Sequence, residues 1–200
     1  MGKMTLLNFK NLDKVLIIGP VYDQGHILKK CYDLLPKYDL IVFNGNLTYP
    51  LDQFKTNFRL QAMSDLLKTG KVIYNISGLD YKLSVESPQV AAWLNNKPNA
   101  VKIQFNRGTC ALVVSGGITP KMKENKDLLD NLELSFVNNI NEKPWHYSYN
   151  GRFGYVISNN LISNEPQFFN YSAQIGIQYN ENKVFGQEVY ENGLGDTFLL

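Results

Sequence analysis

Five short apolar runs, each followed at once by a turn containing glycine or asparagine, recur along this chain. They occupy residues 15–18, 40–43, 72–74, 112–114 and 155–157. Continuous apolar runs of this length are typical of strands that are covered on both faces. Open α/β sheets bind their ligands at the loops after such strands, yet these turns hold almost no ionisable side chains. The sequence therefore predicts an enzyme-like scaffold that carries few groups for chemistry.

Helical patterns separate the first three runs. Apolar residues recur at helical spacing from Ile27 to Leu35, and again across 53–67, where Gly70 is expected to end the helix. This alternation, up to about residue 81, predicts parallel strands joined by right-handed crossovers.

The second half of the chain has a different pattern. Residues 101–105 and 111–114 flank a hairpin-like turn, and further strands are expected at 153–157, 173–179 and 184–189. Helices are expected near 88–94 and across 122–134. The expected fold class is therefore α/β with mixed sheets.

Length and charge limit the function classes. A chain of 200 residues that is 44% hydrophobic is expected to form a single domain over residues 1–200. A net charge of +2 predicts no binding to nucleic acid or to an anionic membrane surface. The lysines of residues 121–126 are interleaved with acidic side chains, which favours a solvated face over a phosphate-binding patch. No apolar run approaches the roughly 18 residues of a membrane span, so a soluble protein is expected.

Cysteine usage and composition suggest a setting. Cys31 and Cys110 both lie in apolar patterns, which predicts reduced, buried thiols and a cytoplasmic location. Lysine outnumbers arginine 17 to 3 and there are 23 asparagines, as expected of an AT-rich coding sequence. This composition fits a viral, phage or low-GC bacterial source, with the virion or host cytoplasm as the location if the source is viral.

The turns also occur in the order of a known set of motifs. In chain order they read Gly19-Pro20-Val21-Tyr22-Asp23, Gly45-Asn46-Leu47-Thr48-Tyr49-Pro50, Gly78-Leu79-Asp80-Tyr81, Ser115-Gly116-Gly117 and Ser158-Asn159-Asn160. Their order and spacing resemble the calcineurin-like metallophosphoesterases, in particular the Ser/Thr protein phosphatases and diadenosine tetraphosphate hydrolases. The resemblance implies two mixed β-sheets in a sandwich flanked by helices. It also implies strand-end loops that hold two metal ions, which activate a water to attack phosphorus.

The chain departs from the family at the metal ligands. Positions where the family has Asp, His or Asn ligands, or the proton-donating His, hold Pro20, Tyr22, Asn46, Leu79, Asp80, Ser115 and Asn159. A two-metal site needs several anionic oxygens and neutral imidazoles, and Asp80 is the one formal negative charge among these positions. The resemblance therefore implies a degenerate member, a pseudoenzyme without metal, cofactor or catalytic residues.

A site rebuilt from neighbouring residues has few candidates. Asp23, His26, Asp80 and His146 are the titratable side chains near the motifs. We favour Asp23 as a helix cap with His26 in the first turn, and His146 as a loop or partner-facing residue. The sequence shows neither a catalytic Ser/His/Asp or Cys/His pattern nor a phosphate loop.

Three functions are compatible with this pattern. The leading hypothesis is a protein-binding or scaffold module within a homo-oligomer or larger assembly. Exposed aromatic side chains would anchor the partner, and the alternative is that the same aromatics pack in the core. They are Tyr147, Tyr149, Phe168, Phe169 and Tyr171. The second hypothesis is a binder that holds a nucleotide or another phosphate-bearing molecule without hydrolysing it. Its cleft would be the former metal site, lined by Tyr22, Asn46, Asp80, Ser115 and Asn159. The third is a phosphoesterase with a displaced metal site.

Overall fold

The computed structural model describes residues 5–18, 26–45, 47, 53–106, 110–115, 132–138, 145–149, 152–158, 174–180, 183–190 and 193–199. Within these residues the α-helices are α1 (His26–Leu34), α2 (Gln53–Leu67), α3 (Gly78–Glu86) and α4 (Pro88–Leu94), and a short 3-10 helix covers Leu35–Lys37. The strands are β1 (Leu6–Leu12), β2 (Lys14–Ile18), β3 (Leu40–Asn44), β4 (Val72–Asn75), β5 (Ala100–Phe105), β6 (Cys110–Ser115), β7 (Leu132–Asn138), β8 (Trp145–Tyr149), β9 (Arg152–Ser158), β10 (Gln174–Asn180), β11 (Lys183–Tyr190) and β12 (Gly193–Leu199).

The strands form two mixed sheets of six strands each. Sheet A has the order β1-β5-β6-β7-β9-β8, and sheet B has the order β12-β11-β10-β2-β3-β4. Strands β2, β3 and β4 are parallel, with Ile18 opposite Phe43 and Phe43 opposite Tyr74. The remaining strands of sheet B are joined antiparallel. The predicted fold class, α/β with two mixed sheets and helices, is confirmed.

The core has two layers because alternate residues of a strand point to opposite faces. From β2 and β3, Leu16, Ile18, Ile41 and Phe43 pack in the cluster that includes the buried residues of α1 and α2. The alternate residues Val15, Ile17 and Val42 pack instead with Val101, Ile103, Ala111 and Val113 of sheet A. Strands β2 and β3 are thus covered on both faces, as their continuous apolar runs predict.

Several predicted elements are confirmed. The helix predicted at 88–94 is α4, and the helix predicted at 53–67 is α2. Gly70 follows α2 with a φ of 73°, a conformation that glycine adopts without steric cost. The hairpin predicted around residues 106–109 appears as the antiparallel pair β5 and β6, and β10 pairs antiparallel with β11.

Two predictions are wrong where the structure tests them. The helix predicted over 122–134 is wrong at its end, because residues 132–134 belong to strand β7. Leu132, Leu134 and Phe136 repeat there with the period of two that is typical of a strand. The earlier part of that predicted helix, including the lysine cluster, lies outside the described residues. His146 was expected in a loop or facing a partner; it belongs to strand β8, so the loop is wrong, and partner contact stays a prediction.

Two further observations concern the cysteines and the lengths of the helices. Cys31 and Cys110 are both buried and form no disulfide with each other, as predicted. Across the portion of the chain that the structure describes, no helix has both the length and the apolar character needed to cross a membrane.

Candidate functional site

The carboxyl ends of parallel strands β3 and β4 meet at one edge of sheet B, and helix α3 begins beside them. The end of β6 in sheet A approaches the same place, since the Asn44 side-chain amide donates a hydrogen bond of 3.1 Å to the Val114 carbonyl. We call Asn44, Leu47, Tyr74, Asn75 and Asp80 the strand-end site. Ligands of α/β folds bind at such edges, so this is the part of the molecule in which to look for chemistry.

Two buried asparagines form the floor of the strand-end site. Asn44 and Asn75 are the last residues of β3 and β4 and stand opposite each other in the register. The Asn75 side chain donates from Nδ2 to Asn44 Oδ1 at 2.8 Å, and both residues are fully buried. Within the described residues Asn75 Oδ1 has no hydrogen-bond partner. A buried carbonyl oxygen in this state is costly, which marks it as an open acceptor.

The Tyr74 hydroxyl connects two separate segments of the chain. It accepts a hydrogen bond of 3.0 Å from the Leu47 backbone N–H and donates one of 2.7 Å to Asp80 Oδ2. The side chain is only 1% exposed. Its ring packs edge-on against Trp93 of α4, with 5.0 Å between the ring centroids. The hydroxyl is thus held in one place between the segment after β3 and the first turn of α3.

Asp80 caps helix α3. Its Oδ2 accepts hydrogen bonds from the Ser77 N–H at 3.0 Å and from Ser77 Oγ at 2.9 Å. Ser77 Oγ in turn accepts from the Asp80 N–H at 3.1 Å, which completes a capping box. With the Tyr74 bond, three donors converge on this single carboxylate oxygen. Asp80 is also fully buried.

Electrostatics keep Tyr74 protonated. Its pKa is raised well above 10.0, chiefly by burial and then by the charge and the hydrogen bond of Asp80. The Leu47 hydrogen bond and the Arg59 guanidinium lower the pKa, but they do not reverse its direction. Arg59 is itself a buried residue of α2, 2% exposed, that donates to the Lys55 carbonyl at 3.2 Å and to Thr56 Oγ at 3.3 Å. Tyr74 is therefore a neutral phenol at ordinary pH, not a phenolate ligand.

The side chains described at this edge do not fit a pair of divalent metal ions. Two such ions need several hard anionic oxygens and a shared carboxylate. Asp80 Oδ2 already has three donors, and the Asn44 amide uses both of its ends within the fold. Asn75 Oδ1 is a neutral oxygen. No cluster of three or more His, Cys, Asp or Glu side chains occurs in the described part of the chain.

Four of the predicted site residues lie within the described part of the chain. Asp80 follows β4, as its motif predicts, but it lies in the first turn of helix α3, which the sequence did not predict. Ser115 is the last residue of β6, opposite Asn138. Tyr147 and Tyr149 lie on β8, opposite Gly154 and Arg152. The other predicted residues fall outside the described residues and are Tyr22, Asn46, Asn159, Phe168, Phe169 and Tyr171.

The sequence reasoning missed four residues of this region: Asn44, Arg59, Tyr74 and Asn75. The two asparagines could have been found from the sequence, because each one directly follows a predicted buried run, at the start of the next turn. A polar residue at the end of a covered strand needs a partner there. Arg59 and Tyr74 carry no such signal, since each is set within a pattern that already explains it as helix or strand.

Comparison with known proteins rests on structure, since the sequence matches no protein-family model and no curated protein sequence. A cold-active protein-tyrosine phosphatase of a Shewanella species has a TM-score of 0.59 at 12% identity, covering 99% of this chain and 83% of that one. A conserved protein of Streptococcus pneumoniae, described as a predicted phosphoesterase, has a TM-score of 0.55 at 9% identity, covering 94% and 98%. Vacuolar protein sorting 29 of Cryptosporidium parvum has a TM-score of 0.53 at 15% identity, covering 96% and 99%. The chain therefore has the fold of the calcineurin-like phosphoesterases.

Proposed function

We propose that this chain is a phosphoesterase-like domain that does not hydrolyse phosphate esters and works as a protein-binding or scaffold module. The observation that carries the proposal is the state of Asp80. Among the positions where the family has its metal ligands and its proton-donating His, it is the one carboxylate, and three donors within the fold converge on its Oδ2. Hydrolysis in this family depends on metal-activated water, and this carboxylate is used to cap a helix instead.

The structural neighbours are consistent with a role of this kind. Two of them are named for phosphatase or phosphoesterase activity, and one is named for vacuolar protein sorting. The same fold thus occurs under names that denote hydrolysis and under a name that denotes sorting of proteins. Function has to be argued from the site and not from the fold, and here the site lacks a set of metal ligands among the described residues.

Strand β8 is our candidate for part of the partner surface. It is the terminal strand of sheet A as far as the structure describes that sheet, and it carries Tyr147 and Tyr149. An edge strand offers backbone hydrogen-bonding groups, and tyrosines are enriched at protein interfaces. We propose these two tyrosines as anchors for a protein partner.

An activity assay tests the loss of hydrolysis. Purified protein is assayed with a generic phosphomonoester and a generic phosphodiester in the presence of Mn²⁺, Ni²⁺ or Zn²⁺. We expect no turnover above that of an Asp80→Ala variant with any of these metals. Metal-dependent turnover that disappears in Asp80→Ala would contradict the proposal.

A capture experiment tests the partner surface. Wild-type protein and a Tyr147→Ala/Tyr149→Ala double variant are used as matched baits in extracts of the native source, and bound proteins are quantified. We expect a protein that the wild type retains and the double variant loses, while both baits keep the same melting temperature. Equal retention by both baits would remove β8 from the partner surface.

Asn75 favours one second function, the binding of a small molecule without hydrolysis. Its buried Oδ1 has no partner among the described residues. Because a carbonyl oxygen accepts hydrogen bonds, it suits an N–H or O–H donor and not a phosphate oxygen. The part of a nucleotide that this residue would bind is therefore its base or sugar.

A thermal-shift comparison separates this second function from the first. Nucleosides, nucleotides and inorganic phosphate are tested in parallel. A ligand at about 100 times its Kd adds about 2.7 kcal/mol to the free energy of unfolding. The second function predicts stabilisation by a nucleoside as well as by its nucleotide, with loss of both in Asn75→Ala. Stabilisation by phosphate alone, or by none of these ligands, would contradict it.

A further inference from the structure

We infer that a hydrogen-bonded clasp centred on Tyr74, and not a pair of divalent metal ions, holds the segment after β3 and the start of α3 together in this chain. We define the Tyr74 clasp as Leu47, Tyr74, Ser77 and Asp80. The resemblance to the metallophosphoesterases implies that their strand-end loops meet at metal ions. Here the segment after β3 and the start of α3 meet at one phenolic oxygen instead.

The phenolic oxygen of the clasp acts both as a donor and as an acceptor. A tyrosine hydroxyl has one proton to donate and lone pairs to accept with. It donates to Asp80 Oδ2 at 2.7 Å and accepts from the Leu47 N–H at 3.0 Å. These groups lie 27 residues before and 6 residues after Tyr74 in the chain. A single side chain therefore joins three elements that are separate in sequence.

The ring that carries the hydroxyl is fixed by packing on its other side. The Tyr74 ring packs edge-to-face against Trp93. The indole N–H of Trp93 donates to Ser64 Oγ at 2.8 Å. Ser64 Oγ donates in turn to the Leu60 carbonyl at 2.7 Å. Tyr74 thus packs against α4, and α4 is hydrogen-bonded to α2 through Trp93 and Ser64. A donor or acceptor held in this way loses little further freedom when its hydrogen bonds form.

The clasp also has a counter-charge within the protein. Asp80 brings a negative charge into a fully buried place, which is costly unless it is compensated. Arg59 is buried too, and its guanidinium acts on Tyr74 with the sign opposite to that of Asp80. The inference holds whichever partner or ligand the protein binds.

Amide hydrogen exchange at Leu47 tests the clasp directly, because this N–H bonds to the Tyr74 hydroxyl. In the wild type we expect strong protection of the Leu47 amide that is the same with excess EDTA and with excess Mn²⁺. In Tyr74→Phe we expect exchange at Leu47 to become about tenfold faster, as the loss of one buried hydrogen bond implies. Tyr38→Phe is the matched control, since it removes a hydroxyl from another buried tyrosine of the same core cluster, and it should leave Leu47 protected.

Three results would overturn the inference. One is a Leu47 amide that exchanges in the wild type at the rate of an unprotected amide. This result is obtained on the wild type alone and so does not depend on a variant that folds. Another is a Leu47 amide that is protected in Mn²⁺ but not in EDTA, which would mean that a metal holds the two segments together. The third is equal protection in Tyr74→Phe and Tyr38→Phe. None of these results depends on turnover, so failure of the clasp and failure of the proposed function can be told apart.

Discussion

The body of strand β3 and its last residue are both buried, but they are chemically opposite. In β3 the body is Leu40 to Phe43, all aliphatic or aromatic and fully or almost fully buried, and the next residue is Asn44, which is buried as well. An apolar side chain is stabilised by leaving water and needs only close packing. A polar side chain in the same layer needs a partner for each donor and acceptor. The strand bodies therefore tolerate many sequences, whereas the strand ends require particular partners.

This difference explains where the molecule keeps its buried polar groups. Asn44, Asn75, Tyr74 and Asp80 hydrogen-bond mainly to one another and to nearby backbone. In an active phosphoesterase such an edge would hold charge for catalysis. In this chain the polar side chains bond to groups of the protein, so their hydrogen bonds stabilise the fold. Within the described residues Asn75 Oδ1 is left without a hydrogen-bond partner.

The largest effect is expected in a strand body. Phe43→Ala removes a fully buried ring from the core cluster, and we expect a loss of about 4 kcal/mol in the free energy of unfolding. Phe58→Ala is the control, because Phe58 is 57% exposed on α2. Urea unfolding measures both. Similar losses for the two phenylalanines would show that the strand body does not carry the stability assigned to it.

The next effect is expected at the strand end. Asp80→Ala leaves the Tyr74 hydroxyl and the Ser77 N–H without their acceptor, and we expect a loss of about 3 kcal/mol. Asp65→Ala removes a carboxylate that pairs with Lys68 on the surface of α2, and it should leave the melting temperature unchanged. If Asp80→Ala is as harmless as Asp65→Ala, Asp80 is not part of the internal network described above.

The asparagine pair gives a smaller but more specific contrast. The Asn44 side chain both donates to the Val114 carbonyl and accepts from Asn75, whereas Asn75 makes only the latter bond among the described residues. We expect Asn44→Ala to cost about 2 kcal/mol and Asn75→Ala about 1 kcal/mol. Chemical denaturation of the two variants gives the ranking directly. The reverse order would contradict the assigned partners, two for the Asn44 side chain and one for that of Asn75.

The smallest effect at neutral pH is expected at Cys31, a buried residue of helix α1. Burial raises the pKa of the Cys31 thiol from 9.0 to about 12. The folded state therefore holds this proton more tightly than the unfolded state, so the stabilisation is fully present below about pH 9 and is lost as the pH rises toward 12. We expect the stability of the wild type to fall more steeply above pH 9 than that of Cys31→Ala. Parallel curves would mean that the thiol is accessible to water.

The sequence was sufficient to predict the elements whose residues repeat with a clear period. The continuous run of β3 and the helical spacing of α1 are of this kind. Strand β1 was missed because Asn8, Lys10 and Asn11 interrupt its apolar residues, and β12 was missed because glycines and an aspartate weaken its pattern. Helix α3 was missed because its apolar residues lack a clear face, and its start is defined by the Ser77–Asp80 capping box.

The strand-end site was predictable in position but not in its contacts. That Asp80 follows the third buried run could be expected from its motif, but the helix that begins there could not. That its carboxylate would be used by Tyr74 and Ser77 could not, because these hydrogen bonds depend on side-chain placement that spacing alone does not determine. The Asn44 bond to Val114 joins residues 70 positions apart, and local patterns carry no information on such a pair.

The central claim is that the strand ends are held by side chains of the protein and not by divalent metals. Anomalous X-ray diffraction from crystals grown with excess Mn²⁺ tests it most directly. We predict no manganese peak beside Asn44, Asn75 or Asp80, and a Tyr74 hydroxyl within hydrogen-bond distance of both the Leu47 N–H and the Asp80 carboxylate. Two neighbouring manganese peaks at this edge, with Asp80 turned away from Tyr74 to bind one of them, would contradict the account.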